Sequence, residues 1–111
     1  MPIRQITVEE LAGMRAAGAP VYLVDVRQPW ENETAALPDG VLIPLQELPE
    51  RWSEVAAAAP AGALIVAYCH HGVRSLSAAA ILAGNGVSPV ASLAGGIDAW
   101  CLRIDPALRR Y

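Results

Sequence analysis

The chain has 111 residues, 54% of them hydrophobic and 17% charged, with 8 basic against 11 acidic side chains and a formal net charge of −3. This composition suits one folded domain, 1–111, with a substantial core, and it argues against disorder, two independent cores and broad nucleic-acid binding. Its apolar stretches are broken by Pro, Gly or charge well short of the ~20 residues of a membrane span, and the start shows no apolar leader, so a cytoplasmic location away from membranes is expected.

Ile3 to Ile6 reads as a short strand, and Thr7 with Glu10 forms a capping-box signature for a helix that carries Leu11 and Met14 and stops near Gly18. Val21 to Val26, between Pro20 and Pro29, has the β-rich character of a buried parallel strand, with Asp25 its odd member. After a polar stretch, Asp39-Gly40 turns the chain into Val41-Leu42-Ile43, and Leu45 to Ala59 is helical apart from a break at Pro49. A second buried strand, Ala63 to Tyr68, runs directly into Cys69, and Ser75 is the candidate cap of a helix closing at Gly84 and Gly86. Val90 to Leu93 gives a last strand, and Gly95-Gly96 leads into a short helix containing Trp100. Strands alternating with helices imply an α/β three-layer sandwich, a mainly parallel five-stranded sheet flanked by helices, with ligands bound beyond the carboxyl ends of the strands.

The chemistry concentrates in Cys69-His70-His71-Gly72-Val73-Arg74-Ser75, between a strand and a helix start where free amides and the helix dipole favour an anion. A thiolate is such an anion, and Gly72 permits the turn that curls amides inward while His70, His71 and Val73 splay toward a substrate. The competing reading makes Cys69 a small buried hydrophobe below a solvated loop. Contiguous Cys-His-His lacks the separated ligand spacing of structural zinc sites, and Cys101 lies too far away in sequence for a Cys-x-x-Cys redox pair, so neither metal nor cofactor is expected. Asp25 needs a partner if buried, such as Arg74 or amides of the Cys69 loop, whereas Arg27 and Glu31 read equally well as a solvated surface pair. Trp30, Trp52 and Trp100 are expected in the core or at its margin.

From Ile6 onward the chain resembles a rhodanese-like domain. Leu23 to Glu31 is similar to that family's Asp-x-Arg motif, Ile43-Pro44-Leu45 to its third-strand segment, Cys69 to Ser75 to its active-site loop, and Leu93 to Trp100 to its closing Gly-Gly-x-x-x-Trp motif. Ala36 stands where the family often has His. The resemblance implies a sulfurtransferase in which Cys69 is the nucleophile, His70 to Arg74 line the substrate loop, and Asp25, Arg27, Glu31 and Ser75 support it. It implies a small-molecule sulfur donor such as thiosulfate and a thiol or cyanide acceptor. The segment Ile104 to Tyr111 resembles the tail of rhodanese domains attached to sulfur-carrier-activating enzymes, which keeps open a sulfur-relay protein partner. Two rivals remain: a Cdc25-like phosphatase or arsenate reductase, whose loop is Cys-x5-Arg where this chain has Cys-x4-Arg, and a non-catalytic binding module, although such family members typically lose the cysteine that this chain retains.

Overall fold

The computed structural model describes residues 3–111; Met1 and Pro2, part of the segment read for a leader, lie outside them. The strands are β1 (Gln5–Ile6), β2 (Val21–Asp25), β3 (Val41–Leu42), β4 (Leu64–Tyr68) and β5 (Val90–Leu93), and the helices are α1 (Val8–Ala16), α2 (Pro29–Thr34), α3 (Leu48–Ala58), α4 (Val73–Gly84) and α5 (Gly96–Arg103). They form one five-stranded sheet in the order β1-β5-β4-β2-β3, parallel at every pairing.

The period of two in β4 divides the core between the faces of the sheet. Leu64, Val66 and Tyr68 join Leu11 of α1 and Trp100 of α5 on one face, while Ile65, Ala67 and Cys69 join Val55 of α3 and Leu82 of α4 on the other. Each Leu or Val buried this way contributes roughly 1.5–3 kcal/mol. The result is the expected three-layer arrangement, with α1 against α5 and α3 against α4. Among the described residues no helix is long and apolar enough to cross a membrane.

Local chemistry sets the element boundaries. Thr7 and Glu10 form the reciprocal capping box that opens α1. The polar stretch after Val26 is itself helical: α2 begins with Pro29 in its first turn, and its Glu31 side chain reaches back to the Gln28 amide. Pro49 begins rather than breaks a helix, because in the first turn of α3 its missing N–H has no partner to lose, and a short 3-10 turn at Leu45–Glu47 precedes it. Ser75 does not cap α4, which starts two residues earlier with Gly72 as its N-cap.

The direction of the crossovers changes between β4 and β2. Chain leaving β4 moves outward through α4 to β5, whereas chain leaving β2 moves the other way to β3. The carboxyl ends of these two central strands therefore bound a crevice, the usual ligand position of an open parallel sheet.

Candidate active site

The loop that follows β4 carries Cys69 into this crevice. Gly72 adopts φ 101°, a left-handed conformation that side-chain-bearing residues rarely take, and so turns the chain directly into α4. The Gly72 amide then donates to Cys69 Sγ at 3.1 Å, and the Ser75 amide, in the first turn of α4, donates at 3.4 Å. The Ser75 hydroxyl lies 3.5 Å from the same sulfur and 2.7 Å from the Ser92 hydroxyl. Cys69 itself is only 1% exposed.

The carbonyls of the loop face away from the sulfur. The Ile97 amide donates to Cys69 O at 2.9 Å and the Asp98 amide to His70 O at 3.1 Å, so the start of α5 absorbs the acceptors while the amides converge on Sγ. This explains the paired glycines before α5. A Cβ on Gly96 would collide with the Cys69 and His70 carbonyl groups, and its φ of +58° is again left-handed.

Beyond β2, two ion pairs line the crevice. Asp25 and Arg27 are both fully buried and bind face to face, Nε to Oδ1 at 2.8 Å and one terminal nitrogen to Oδ2 at 2.7 Å. The Arg27 amide and Asn32 Nδ2 supply further donors to the Asp25 carboxylate, at 3.0 and 2.9 Å. The partner expected for Asp25 was Arg74 or the Cys69 loop; it is Arg27, because the carboxylate points back into its own β2–α2 turn. Arg74 instead makes a two-pronged pair with Glu31, at 2.6 and 2.9 Å. Arg27 and Glu31 are thus not a solvated surface pair: each is buried and committed to a different partner.

Four hydrogen bonds converge on Glu31, from both Arg74 nitrogens, the Gln28 amide and the Tyr111 hydroxyl. Arg74 foremost, opposed by burial, pulls its pKa from 4.5 down to about 2. Glu31 in turn raises the pKa of Arg74. The segment carrying Ala36 is secured without the family's common histidine: Arg27 donates to Ala35 O at 2.7 Å and the Leu37 amide to the Tyr68 hydroxyl at 3.2 Å.

At the rim, Val73 is 74% exposed and His71 is exposed, as expected, but His70 is half-buried between two rings. It stacks on His71 at 4.0 Å and on Tyr111 at 4.2 Å between centroids. Burial, then the neighbouring His71, holds its pKa below the ordinary value. Trp30, expected in the core or its margin, is 59% exposed and meets Tyr111 edge-on at 5.7 Å. Trp100 is buried in the core, and Trp52 packs at its margin.

His70, His71 and Asp98 bring ligand atoms within 4.8 Å of one another. Asp98 Oδ1 already accepts from Arg110 at 3.1 Å, and its Oδ2 lies 3.6 Å from His71 Nε2. Cys101 is buried in the α1/α5 layer, where burial pushes its thiol pKa up. Hollows of about 290 Å³ beside Trp52 and Gly86 and about 490 Å³ beside Arg4 and Ala83 contain no residue of the Cys69 loop.

Sequence reading missed Tyr111, which contacts Arg27, Glu31, His70 and Trp30. Tyr111 belongs to the 104–111 segment, but nothing local assigns it a role in the site, since Glu31 and Arg27 lie 80 and 84 positions away along the chain.

Comparison with known proteins identifies the family. The rhodanese-like domain family matches residues 7–103. The chain is 37% identical over 98 residues to a sulfurtransferase of Allochromatium vinosum, covering 88% of each chain. It is 36% identical to the thiosulfate sulfurtransferase GlpE of Pseudomonas syringae, covering 87% of this chain and 86% of the relative. Against the adenylyltransferase and sulfurtransferase MOCS3 of Aedes aegypti it is 30% identical, aligning over 99% of its own length but only 26% of that longer protein. A crystal structure of a rhodanese-like domain protein from Staphylococcus aureus superposes with a TM-score of 0.80 at 28% identity, covering 98% of this chain and 99% of that one. With its parallel sheet, its Cys69 loop between β4 and α4 and these relatives, the chain belongs to the rhodanese-like sulfurtransferase family.

Proposed function

We propose that Cys69 is the nucleophile of a sulfurtransferase that carries sulfane sulfur as a persulfide, with thiosulfate as donor and a thiol or cyanide as acceptor. The reading rests on one observation above all: two main-chain amides, at Gly72 and at the first turn of α4, donate to Cys69 Sγ. Amides aimed at sulfur favour its anionic form and cost no reorganisation when charge arrives.

In the first half-reaction the Cys69 thiolate attacks the outer sulfur of thiosulfate; the S–S bond to Cys69 forms as the sulfur–sulfonate bond breaks, and sulfite leaves with the electron pair. In the second, cyanide or a thiolate attacks the terminal persulfide sulfur, giving thiocyanate or a new persulfide and returning the Cys69 thiolate. Both leaving groups are stable anions, so neither step needs a strong general acid, a metal or an organic cofactor. His70 and His71 then act at the rim in substrate docking, and Arg74, paired with Glu31, forms a fixed part of the crevice wall.

A second reading is supported by the resemblance of the segment 104–111 to rhodanese domains joined to sulfur-carrier-activating enzymes and by the longer relative aligned along the full chain. In it, Cys69 receives sulfur from one protein and passes it to another, and the same cradle serves both.

Intact-protein mass spectrometry after incubation with thiosulfate, or with a persulfidated protein donor, tests and ranks the two. The expected product is one added sulfur, lost in Cys69→Ser and retained in Cys101→Ser. Equal loss in both variants refutes the single-thiol mechanism.

A further inference from the structure

We propose that Tyr111 is a positioning residue for sulfur transfer at Cys69, its hydroxyl clamping the Glu31–Arg74 pair and its ring holding His70 at the rim. The proposal rests on the sulfurtransferase reading and adds to it a role for Tyr111 of the 104–111 segment.

The hydroxyl has one way to satisfy its neighbours. Arg27 offers only donors and ionised Glu31 only acceptors, so the phenol accepts from Arg27 at 2.8 Å and donates to Glu31 Oε2 at 2.8 Å. Both bonds are charge-assisted. That same Oε2 takes a terminal nitrogen of Arg74 at 2.9 Å. Tyr111 thereby joins two ion pairs that otherwise have separate anchors, the buried Asp25–Arg27 pair behind β2 and the Glu31–Arg74 pair spanning α2 and α4. Arg74 sits one residue before Ser75, whose amide meets Cys69 Sγ, so a displacement of the Glu31 carboxylate is felt in the turn that forms the cradle.

The ring acts on a second rim element. It lies nearly parallel to the His70 imidazole, 12° between planes at 4.2 Å, and His71 covers the opposite face. His70, adjacent to Cys69 in the chain, is therefore confined between two rings. The Arg27 guanidinium over the Tyr111 ring at 5.7 Å and the Trp30 edge at 5.7 Å fix the phenol from its other sides.

The test compares native protein, Tyr111→Phe and Tyr111→Ala in steady-state transfer from thiosulfate to cyanide, with the His70 imidazole titrated by NMR in each. Charged and titratable groups near His70 are His71, Asp98, Glu31 and Arg74. Tyr111→Phe loses the clamp and keeps the stack: the thiosulfate KM should rise about tenfold with kcat within about threefold, and the His70 midpoint should stay in place. Tyr111→Ala loses both, and its His70 midpoint should move up toward that of free histidine. An unchanged KM in both variants overturns the proposal, as does an unmoved His70 midpoint in Tyr111→Ala or a fall in melting temperature as the sole effect. A lower KM or faster turnover in Tyr111→Ala also overturns it, revealing the ring as a cover over Cys69. If native protein takes no sulfur from thiosulfate, the donor assignment fails separately; the His70 titration still decides, a shift supporting the positioning of the rim and no shift refuting it.

Discussion

Gly96→Ala tests the construction of the cradle, because the methyl group it adds points at the backbone of the loop itself. The added Cβ would stand 2.6 Å from the His70 carbonyl carbon, about 1 Å inside ordinary van der Waals contact, and closer still to both carbonyl oxygens. Backbone cannot rotate aside as a side chain does, so the loop and the start of α5 must part. Parting weakens the Ile97–Cys69 and Asp98–His70 bonds, about 1 kcal/mol each, and the left-handed φ costs an alanine roughly 1–2 kcal/mol more. The expected destabilisation is about 3–4 kcal/mol, seen as a fall in melting temperature of at least about 10 °C. Reorienting the carbonyls also turns the amides away from Sγ, and by analogy with lost oxyanion-hole donors the rate of persulfide formation should drop about 100-fold. Timed reaction with thiosulfate, alkylation and mass spectrometry, run well below the melting transition, measures that rate. Gly13→Ala is the control: it lies within α1 with open space around it, and should be neutral or stabilising by up to about 1 kcal/mol. Native rate and stability in Gly96→Ala would refute the reasoning.

Other substitutions separate support from chemistry. Asp25→Ala strands the buried Arg27 guanidinium and should cost about 3–5 kcal/mol in urea unfolding; a loss below about 1 kcal/mol would show that the pair is dispensable. The Glu31 carboxyl titrates at about 2 in the folded chain against an ordinary 4.5, so its stabilisation is complete above about pH 5 and is lost as the pH falls toward 2. It amounts to at most about 3–4 kcal/mol, at about 1.4 kcal/mol per tenfold, and Glu31→Gln should flatten this acid limb of the stability profile; an unchanged limb contradicts the assignment. Hydrolysis of aryl phosphates should be negligible, and robust Cys69-dependent phosphatase activity would move the chain to the rival class.

What could be read along the chain was whatever depends on neighbours in sequence. The Thr7–Glu10 capping box, the apolar strands β2 and β4, and Cys69 at a strand-to-helix turn are local patterns, and the structure bears them out as elements. Helix α2 escaped because its six residues, four of them polar, carry no apolar stripe; its order comes from Pro29, the Gln28–Glu31 cap and the burial of one carboxylate by Arg74. The pairing of charges was misread for a related reason. Asp25, Arg27, Glu31 and Arg74 were all visible, but which acid meets which base depends on the direction of the β2–α2 turn, and that turn folds Arg27 back onto Asp25 and leaves Glu31 for Arg74. Trp30 defeated the rule that large aromatics are buried because it lies on the outer side of α2, beside the rim.

The charge pairing also bears on why this loop suits sulfur better than a phosphoryl group. Phosphoryl transfer requires donors for three equatorial oxygens around an in-line nucleophile, usually with an arginine turned into the ring of amides. Here two amides reach the sulfur from a loop of six residues, Cys69 to Arg74, continued by Ser75, and the arginine that closes the loop has both terminal nitrogens engaged by Glu31. Freeing Arg74 for an oxyanion would leave a nearly buried carboxylate with fewer partners, a cost the Tyr111 hydroxyl and Gln28 amide offset only in part. Sulfur transfer asks for less than a ring of oxyanion donors: the amides need only meet the cysteine sulfur, which they already do. The departure from Cys-x5-Arg therefore carries more than a shortened ring, because in this chain the arginine has become part of the wall while the main-chain amides remain to meet the sulfur.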